Sequence, residues 1–319
     1  MIRSQTAPPS TLLRNRVALG TWTIGGPWER NGRACGLGAV DDRASVDALR
    51  RAIDSGISVI DTADVYGCGH AERLVGNAVQ GVRDQVFIAT KFGTRFDEDT
   101  RQASERCIEP DFIRTSCDAS LRRLGTDHID LYQLHWAGCP VAAIDDVITT
   151  LVDLRTQGKI VEFGWSTDEA TGADEWLARG GGPVQHPYSL IEPRDDLLEL
   201  TGRFETISLC RSPLGTGALA GSQTRDDDIR RHEWTDALVS RAATIRAVLD
   251  DTARRCQVTP VELALRWVTW RADNVVTIVG FRSKSHVDVA ARADNAGPLP
   301  PAVTKVLDQI AAPELGEPE

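Results

Sequence analysis

Short apolar runs alternate along this chain with longer stretches in which apolar residues recur every three or four positions. The short runs predict strands at Val17–Gly20, Ser58–Asp61, Val86–Lys91, Ile129–His135, Val161–Ser166, Pro183–Gln185, Thr206–Arg211 and Val275–Gly280. Most are rich in Val, Ile and Leu with little polar alternation, as in parallel strands covered on both faces. The longer stretches predict helices. Val46, Leu49 and Ile53 share one face, as do Ile113, Cys117, Leu121 and Leu124. Ile144, Ile148, Leu151 and Val152 mark a further helix, and Val261, Leu265 and Val268 a later one. Gly56, Gly125, Gly158 and Gly202 are expected just past helix ends, where a left-handed cap favours glycine.

Strand–helix alternation predicts a parallel sheet. Eight such units favour an α/β fold of the (β/α)8 TIM-barrel type, with the active site at the C-terminal strand ends. An open doubly wound sheet usually carries a glycine-rich phosphate turn after an early strand, and the chain has neither GxGxxG nor a Walker A pattern. One domain is expected over residues 1–319, with loose tails at about 1–12 and 313–319. Arg225–Arg231 reads as a charged surface loop, and its run Asp226–Asp228 as a solvated face with no metal site.

Composition narrows the function. The 319 residues are 41% hydrophobic and 26% charged, with a formal net charge of −10. That balance lacks the basic footprint of a nucleic-acid binder. No stretch approaches the ~18 consecutive apolar residues of a membrane span, and Met1–Ser10 does not read as a secretory signal. The seven cysteines are scattered, with no CxxC spacing, so a disulfide framework or zinc site is not expected and a cytoplasmic location is. Nothing in the sequence signals an oligomeric state.

Several predicted strands end in reactive residues: Asp61, Lys91 and His135. In a barrel these ends open on one rim. A buried acid and a buried amine there should pair, because each alone would be costly to desolvate. On residue type alone, that pair reads equally well as a structural ion pair. Tyr66 follows Asp61 by five positions, and the chain has only three tyrosines. A phenol titrates near ~10, and a neighbouring ammonium is expected to lower it. Tyr66 would then be the acid of a carbonyl reduction, with His135 polarising the carbonyl oxygen. Trp22, Trp28 and Trp136 fall on rim loops and are candidate walls of a substrate pocket. His70 reads as a solvated loop residue.

Asp61–Gly76 (DTADVYGCGHAERLVG) resembles the DTAxxYGxGxSExxLG signature of aldo-keto reductases. Ala89–Lys91 resembles their lysine strand and Leu131–Trp136 (LYQLHW) their histidine strand. Gly158–Thr167 is similar to GKIRxxGxSN, Gln185–Leu190 to QxxYSL, and Arg211–Gly217 to YSPLxxG. These pieces keep their order from about Val17 to Ala293.

The resemblance implies a catalytic tetrad of Asp61, Tyr66, Lys91 and His135, with Tyr66 as acid. It implies that Ser166 and Gln185 bind a nicotinamide carboxamide, and that Arg211, Ser212 and Leu214 line the cofactor. Gly280, Arg282, Ser283 and His286 would grip the adenosine end. Arg282 and Ser283 match positions that face a 2′-phosphate, so NADP(H) is favoured and NAD(H) remains possible. Relatives that reduce carbon–carbon double bonds place Glu at the histidine position, which His135 argues against. Thr167 stands where Asn usually joins Ser on the carboxamide, and Arg211 where an aromatic ring often stacks. His286 replaces a usual Gln or Arg, and Val289–Ala290 a usual Glu–Asn pair.

The expected function is NADPH-dependent reduction of a small aldehyde or ketone. Alternatives are an NAD(P)-dependent sugar or cyclitol dehydrogenase, a cofactor-binding regulatory subunit with slow turnover, and an inactive barrel kept as a scaffold.

Overall fold

A computed structural model of the chain describes residues 15–221, 229–232 and 234–312. Both expected tails and the acidic run Asp226–Asp228 lie outside the described residues.

Eight parallel strands close into a barrel. They are β1 (Val17–Gly20), β2 (Val59–Asp61), β3 (Phe87–Phe92), β4 (Ile129–Leu134), β5 (Ile160–Ser166), β6 (Val184–Pro187), β7 (Ser208–Arg211) and β8 (Val275–Gly280). Each pairs with its neighbours in chain order, and β8 closes on β1, with Val17 opposite Thr277 and Gly20 opposite Gly280. All eight predicted strands are present, two with the expected bounds and the others with ends shifted by at most two residues.

Helices cover the outside: α1 (Asp42–Asp54), α2 (His70–Ala78), α3 (Pro110–Leu124), α4 (Ile144–Thr156), α5 (Ala170–Ala178), α6 (Asp195–Arg203), α7 (Asp236–Cys256), α8 (Pro260–Thr269), α9 (Lys284–Asn295) and α10 (Pro301–Ala311). Two details differ from the sequence reading. Gly202 lies inside α6, and the left-handed residue beyond that helix is Glu205, at φ 53°. Val152 is 36% exposed, whereas Leu154 is fully buried. From Ile144, the helical stripe runs through Val147, Leu151 and Leu154, so Val152 falls off it.

Inside the barrel, two-residue periodicity sets what each strand presents. Ala18, Val59, Phe87, Ala89, Leu131, Leu209, Val276 and Ile278 belong to one buried cluster. Two residues further along, the same parity reaches Gly20, Asp61, Lys91, Gln133, Arg211 and Gly280. Apolar residues thus fill the interior, and the chemistry sits at its C-terminal rim.

A small four-stranded sheet stands over that rim. It joins Glu29–Arg30 and Arg33–Ala34, from the loop after β1, to Thr94–Asp97 and Gln102–Arg106, from the loop after β3. Among the described residues, no helix is long and apolar enough to cross a membrane.

Candidate active site

Asp61 and Lys91 end adjacent parallel strands, β2 and β3, and both are buried. Lys91 Nζ donates to Asp61 Oδ1 at 2.6 Å and to the Thr62 carbonyl at 2.7 Å. Its third donor direction faces Tyr66 Oη at 3.5 Å, and Nζ lies 5.1 Å from the Tyr66 ring centroid. Burial opposes the lysine's charge, but Asp61 and Tyr66 outweigh it, so the ammonium titrates above its ordinary range.

Tyr66 is carried by the turn between β2 and α2. Gly67 in that turn has φ +62°, and a Cβ there would stand 1.9 Å from the Gly25 carbonyl oxygen. Only glycine lets the two loops approach this closely. Behind the turn, fully buried Glu72 accepts from Thr90 Oγ1 and from Arg123 Nε, each at 2.6 Å. The Thr90 hydrogen bond ties α2 to β3 and the Arg123 ion pair ties it to α3, and together they fix the segment bearing Tyr66.

The expected downward shift of the Tyr66 phenol is not what the surroundings produce. Burial raises it and Asp61 adds to that; Lys91 pulls the other way without prevailing. The phenol therefore holds its proton firmly.

His135 follows β4, and its backbone N–H continues the ladder to the Phe92 carbonyl at 2.7 Å. Its ring meets Tyr66 edge-on, with centroids 5.9 Å apart. Burial pushes its imidazole well below the ordinary value, aided by the charges of Lys91, Arg106, Arg211 and Arg30. The ring is neutral at ordinary pH. Nδ1 is buried without a partner among the described residues.

Sequence reasoning missed two neighbours of this group. Gln133 Nε2 approaches Asp61 Oδ2 at 3.2 Å, beside Gln185 Nε2 at 2.8 Å. A signal existed for Gln133: it shares inward parity with Leu131 and His135, in a strand of otherwise apolar inward residues. Arg106, from the rim sheet, donates to the His135 carbonyl and to Thr94 Oγ1. No local pattern announces it, because its position depends on a long-range sheet.

The other expected residues fall around the same mouth. Ser166 and Gln185 are register partners on β5 and β6, with Ser166 Oγ 3.5 Å from Gln185 Oε1. Thr167 spends its hydroxyl on the Ala137 carbonyl at 2.8 Å. Arg211 ends β7 and pairs with Asp168. Ser212 is left-handed at φ 55°, and partly buried Leu214 packs against the core. Gly280 ends β8. Ser283 caps α9, and exposed Arg282 reaches the Ala39 carbonyl at 3.2 Å. His286 Nδ1 accepts from the Arg282 backbone N–H.

Trp28, Tyr66 and Phe96 pack against the buried cluster of Ala63, Val65 and Ala103. Trp22 is tied to the Cys35 carbonyl, and Trp136 packs partly against the core. His70 departs from its expected solvated role: it opens α2, with Nδ1 2.8 Å from the Gly25 carbonyl and Nε2 3.1 Å from Asp42. It latches the β1 loop to the Tyr66 turn.

The sequence profile described as Aldo/keto reductase family matches residues 16–312. The chain belongs to the aldo/keto reductase family. It is 31% identical over 288 residues to Aldo-keto reductase YhdN of Bacillus subtilis (strain 168), covering 86% of this chain and 83% of that one. It is 29% identical over 297 residues to the NADH-specific methylglyoxal reductase of Escherichia coli (strain K12), covering 86% and 87%. Among solved structures, the glycerol dehydrogenase AKR11B4 of Gluconobacter oxydans superposes with a TM-score of 0.80 at 29% identity, covering 95% of this chain and 93% of that one. As an aldo/keto reductase, the protein is an oxidoreductase that uses a nicotinamide cofactor and acts on small carbonyl compounds.

Proposed function

We propose that this aldo/keto reductase is a single-domain cytoplasmic enzyme that reduces an aldehyde or ketone to the alcohol with NADPH, and that Tyr66 delivers the proton. The observation that carries this is Lys91, held on Asp61 at 2.6 Å and facing Tyr66 Oη at 3.5 Å.

The rim suits a nicotinamide. Ser166 and Gln185 set a hydroxyl beside an amide on adjacent strands, a donor–acceptor pattern matched to a carboxamide. The bound cofactor supplies the hydride. The carbonyl oxygen then needs a proton, which passes from Tyr66 Oη. The Lys91 ammonium stabilises the phenolate left behind, and Asp61 keeps that ammonium in place. Neutral His135 offers its ring N–H to the same oxygen. With its hydroxyl committed to Ala137, Thr167 contributes to the cofactor site through backbone position more than through its side chain. Arg211, Ser212 and Leu214 line the cofactor beyond the nicotinamide, where the guanidinium plane can stack in place of an aromatic ring.

Gly280, Arg282, Ser283 and His286 form the adenosine end. The N-terminus of α9, flanked by Arg282 and Lys284, suits a 2′-phosphate. That supports NADP(H) over NAD(H), although one relative is named NADH-specific. Trp28, which packs against the same buried cluster as Tyr66, is the best-supported substrate wall, with Trp22 and Trp136 further along the rim. Cytoplasmic placement suits cysteines that are all free thiols among the described residues. The reverse reaction needs a phenolate base, which the firmly protonated Tyr66 makes scarce at neutral pH.

A panel of aldehydes and ketones with NADPH and NADH, followed by cofactor absorbance, tests the proposal. Turnover with a lower KM for NADPH is expected. Tight cofactor binding without turnover of any carbonyl would overturn it in favour of a regulatory subunit.

A further inference from the structure

The charges around His135 do not balance. Lys91 is neutralised by Asp61, and Arg211 by Asp168. Arg106 has no ion pair among the described residues, and its hydrogen bonds there leave from Nη1. Arg30 is half-buried, and its guanidinium has neither a hydrogen bond nor an ion pair among the described residues. The buried acid Asp64 supports the Arg106 charge only weakly, and its own charge is disfavoured: burial and then Glu72 push its carboxyl well above the ordinary range. Glu72 itself is held by Arg123.

Arg30 faces the right way. It lies two residues after Trp28, which packs, as Tyr66 does, against the buried cluster of Ala63, Val65 and Ala103. Its register partner Ala103 is buried in the same cluster, whereas Glu29, of opposite parity, is exposed and bound to Gln102. The charge of Arg30 reaches both His135 and Arg106; burial and then Arg30 bring the Arg106 guanidinium down to about 10. Two partly desolvated guanidinia without counter-ions among the described residues are costly to hold at one rim. The same groups attract an anion strongly and, being planar forks, hold a carboxylate or phosphate in two-point contact.

We propose that the substrates are anionic carbonyl compounds, with a carboxylate or phosphate bound by Arg30 beside Arg106 while the carbonyl lies between Tyr66 and His135. This rests on the carbonyl-reductase reading above and narrows its substrate class.

The test compares matched pairs: succinic semialdehyde against butanal for a carboxylate, and glyceraldehyde 3-phosphate against glyceraldehyde for a phosphate. In the parent enzyme, at least one charged member should have the higher kcat/KM, by about tenfold or more, as one charge-assisted contact allows. The pair that shows the preference identifies the anion. In Arg30→Met the charged-to-neutral ratio should fall about tenfold, with partial recovery in Arg30→Lys. Titration calorimetry of succinate and inorganic phosphate into the NADP-loaded enzyme gives a second readout, and Arg30→Met should lose that binding. Neutral carbonyls reduced as well as charged ones, or an unchanged ratio in Arg30→Met, would overturn the anion site and leave the reductase reading standing. If no carbonyl is turned over, Arg30-dependent anion binding still supports the site while the reductase reading fails. No such binding then overturns both.

Discussion

Lys91 Nζ stands 3.5 Å from Tyr66 Oη, close enough to stabilise a phenolate yet long for a hydrogen bond in the resting enzyme. The lysine's short contacts go to Asp61 and Thr62 instead. The pair is therefore poised: the ammonium has little hold on the phenol until the proton leaves. Stabilisation of this kind is stronger in the transition state than in the ground state, the condition for raising kcat.

The Asp61–Lys91 pair carries a stability consequence. Lys91 is fully buried, and Asp61 is its counter-ion. Asp61→Asn should lower unfolding stability by about 3–5 kcal/mol, the cost of stranding one buried charge. Urea unfolding measures this. A loss below about 1 kcal/mol would mean that Lys91 releases its proton or finds another partner.

The pH profile follows from the Tyr66 phenol. Its protonated form is active in reduction, so the reductive rate is lost as pH rises through the phenol's pKa. That pKa lies above the ordinary value near ~10. The rate of reduction should be flat through neutral pH and fall only at strongly alkaline pH. Alcohol oxidation needs the phenolate, so it should climb over the same interval. His135, pushed well below its ordinary value, should add no acidic limb near neutrality. A reductive rate that halves between pH 7 and 8 would contradict this assignment.

Gln133 and Gln185 both address Asp61 Oδ2. Gln133→Leu removes one donor from a buried carboxylate and loosens the anchor of Lys91. The expected effect is a fall in kcat of about tenfold, the loss of one hydrogen bond to a charged group. An unaltered kcat would make Gln133 a packing residue only.

The sequence made the barrel legible because β-strands covered on both faces leave near-continuous apolar runs, and the rim residues fall at strand ends. Asp61, Lys91 and His135 converge as expected for that reason. The rim sheet was not legible: Glu29–Arg30 pairs with Gln102–Arg106 across more than 70 residues, and strands of two to five residues carry no periodicity. Arg30 and Arg106 gain their meaning only from that pairing. His70 misled for a similar reason. Its partners, Gly25 and Asp42, come from another loop. The upward shift of Tyr66 could not be read either, since it depends on how much protein packs around the phenol.

Arg282 offers a test of cofactor choice. It is exposed at the start of α9, with one contact to Ala39. Arg282→Ala should raise the KM for NADPH by about tenfold, the loss of one charge-assisted phosphate contact, and leave NADH little changed. Equal weakening of both would place the reading of the 2′-phosphate elsewhere.

The most direct test of the account is Tyr66→Phe, assayed for both carbonyl reduction and NADPH binding. The substitution keeps the ring edge-on to His135 and removes only the hydroxyl. The account predicts that kcat falls by at least about 10²-fold, as for a lost general acid, while the NADPH dissociation constant stays within about threefold, since the hydroxyl is placed on the carbonyl and not on the cofactor. Turnover equal to the parent's would contradict it.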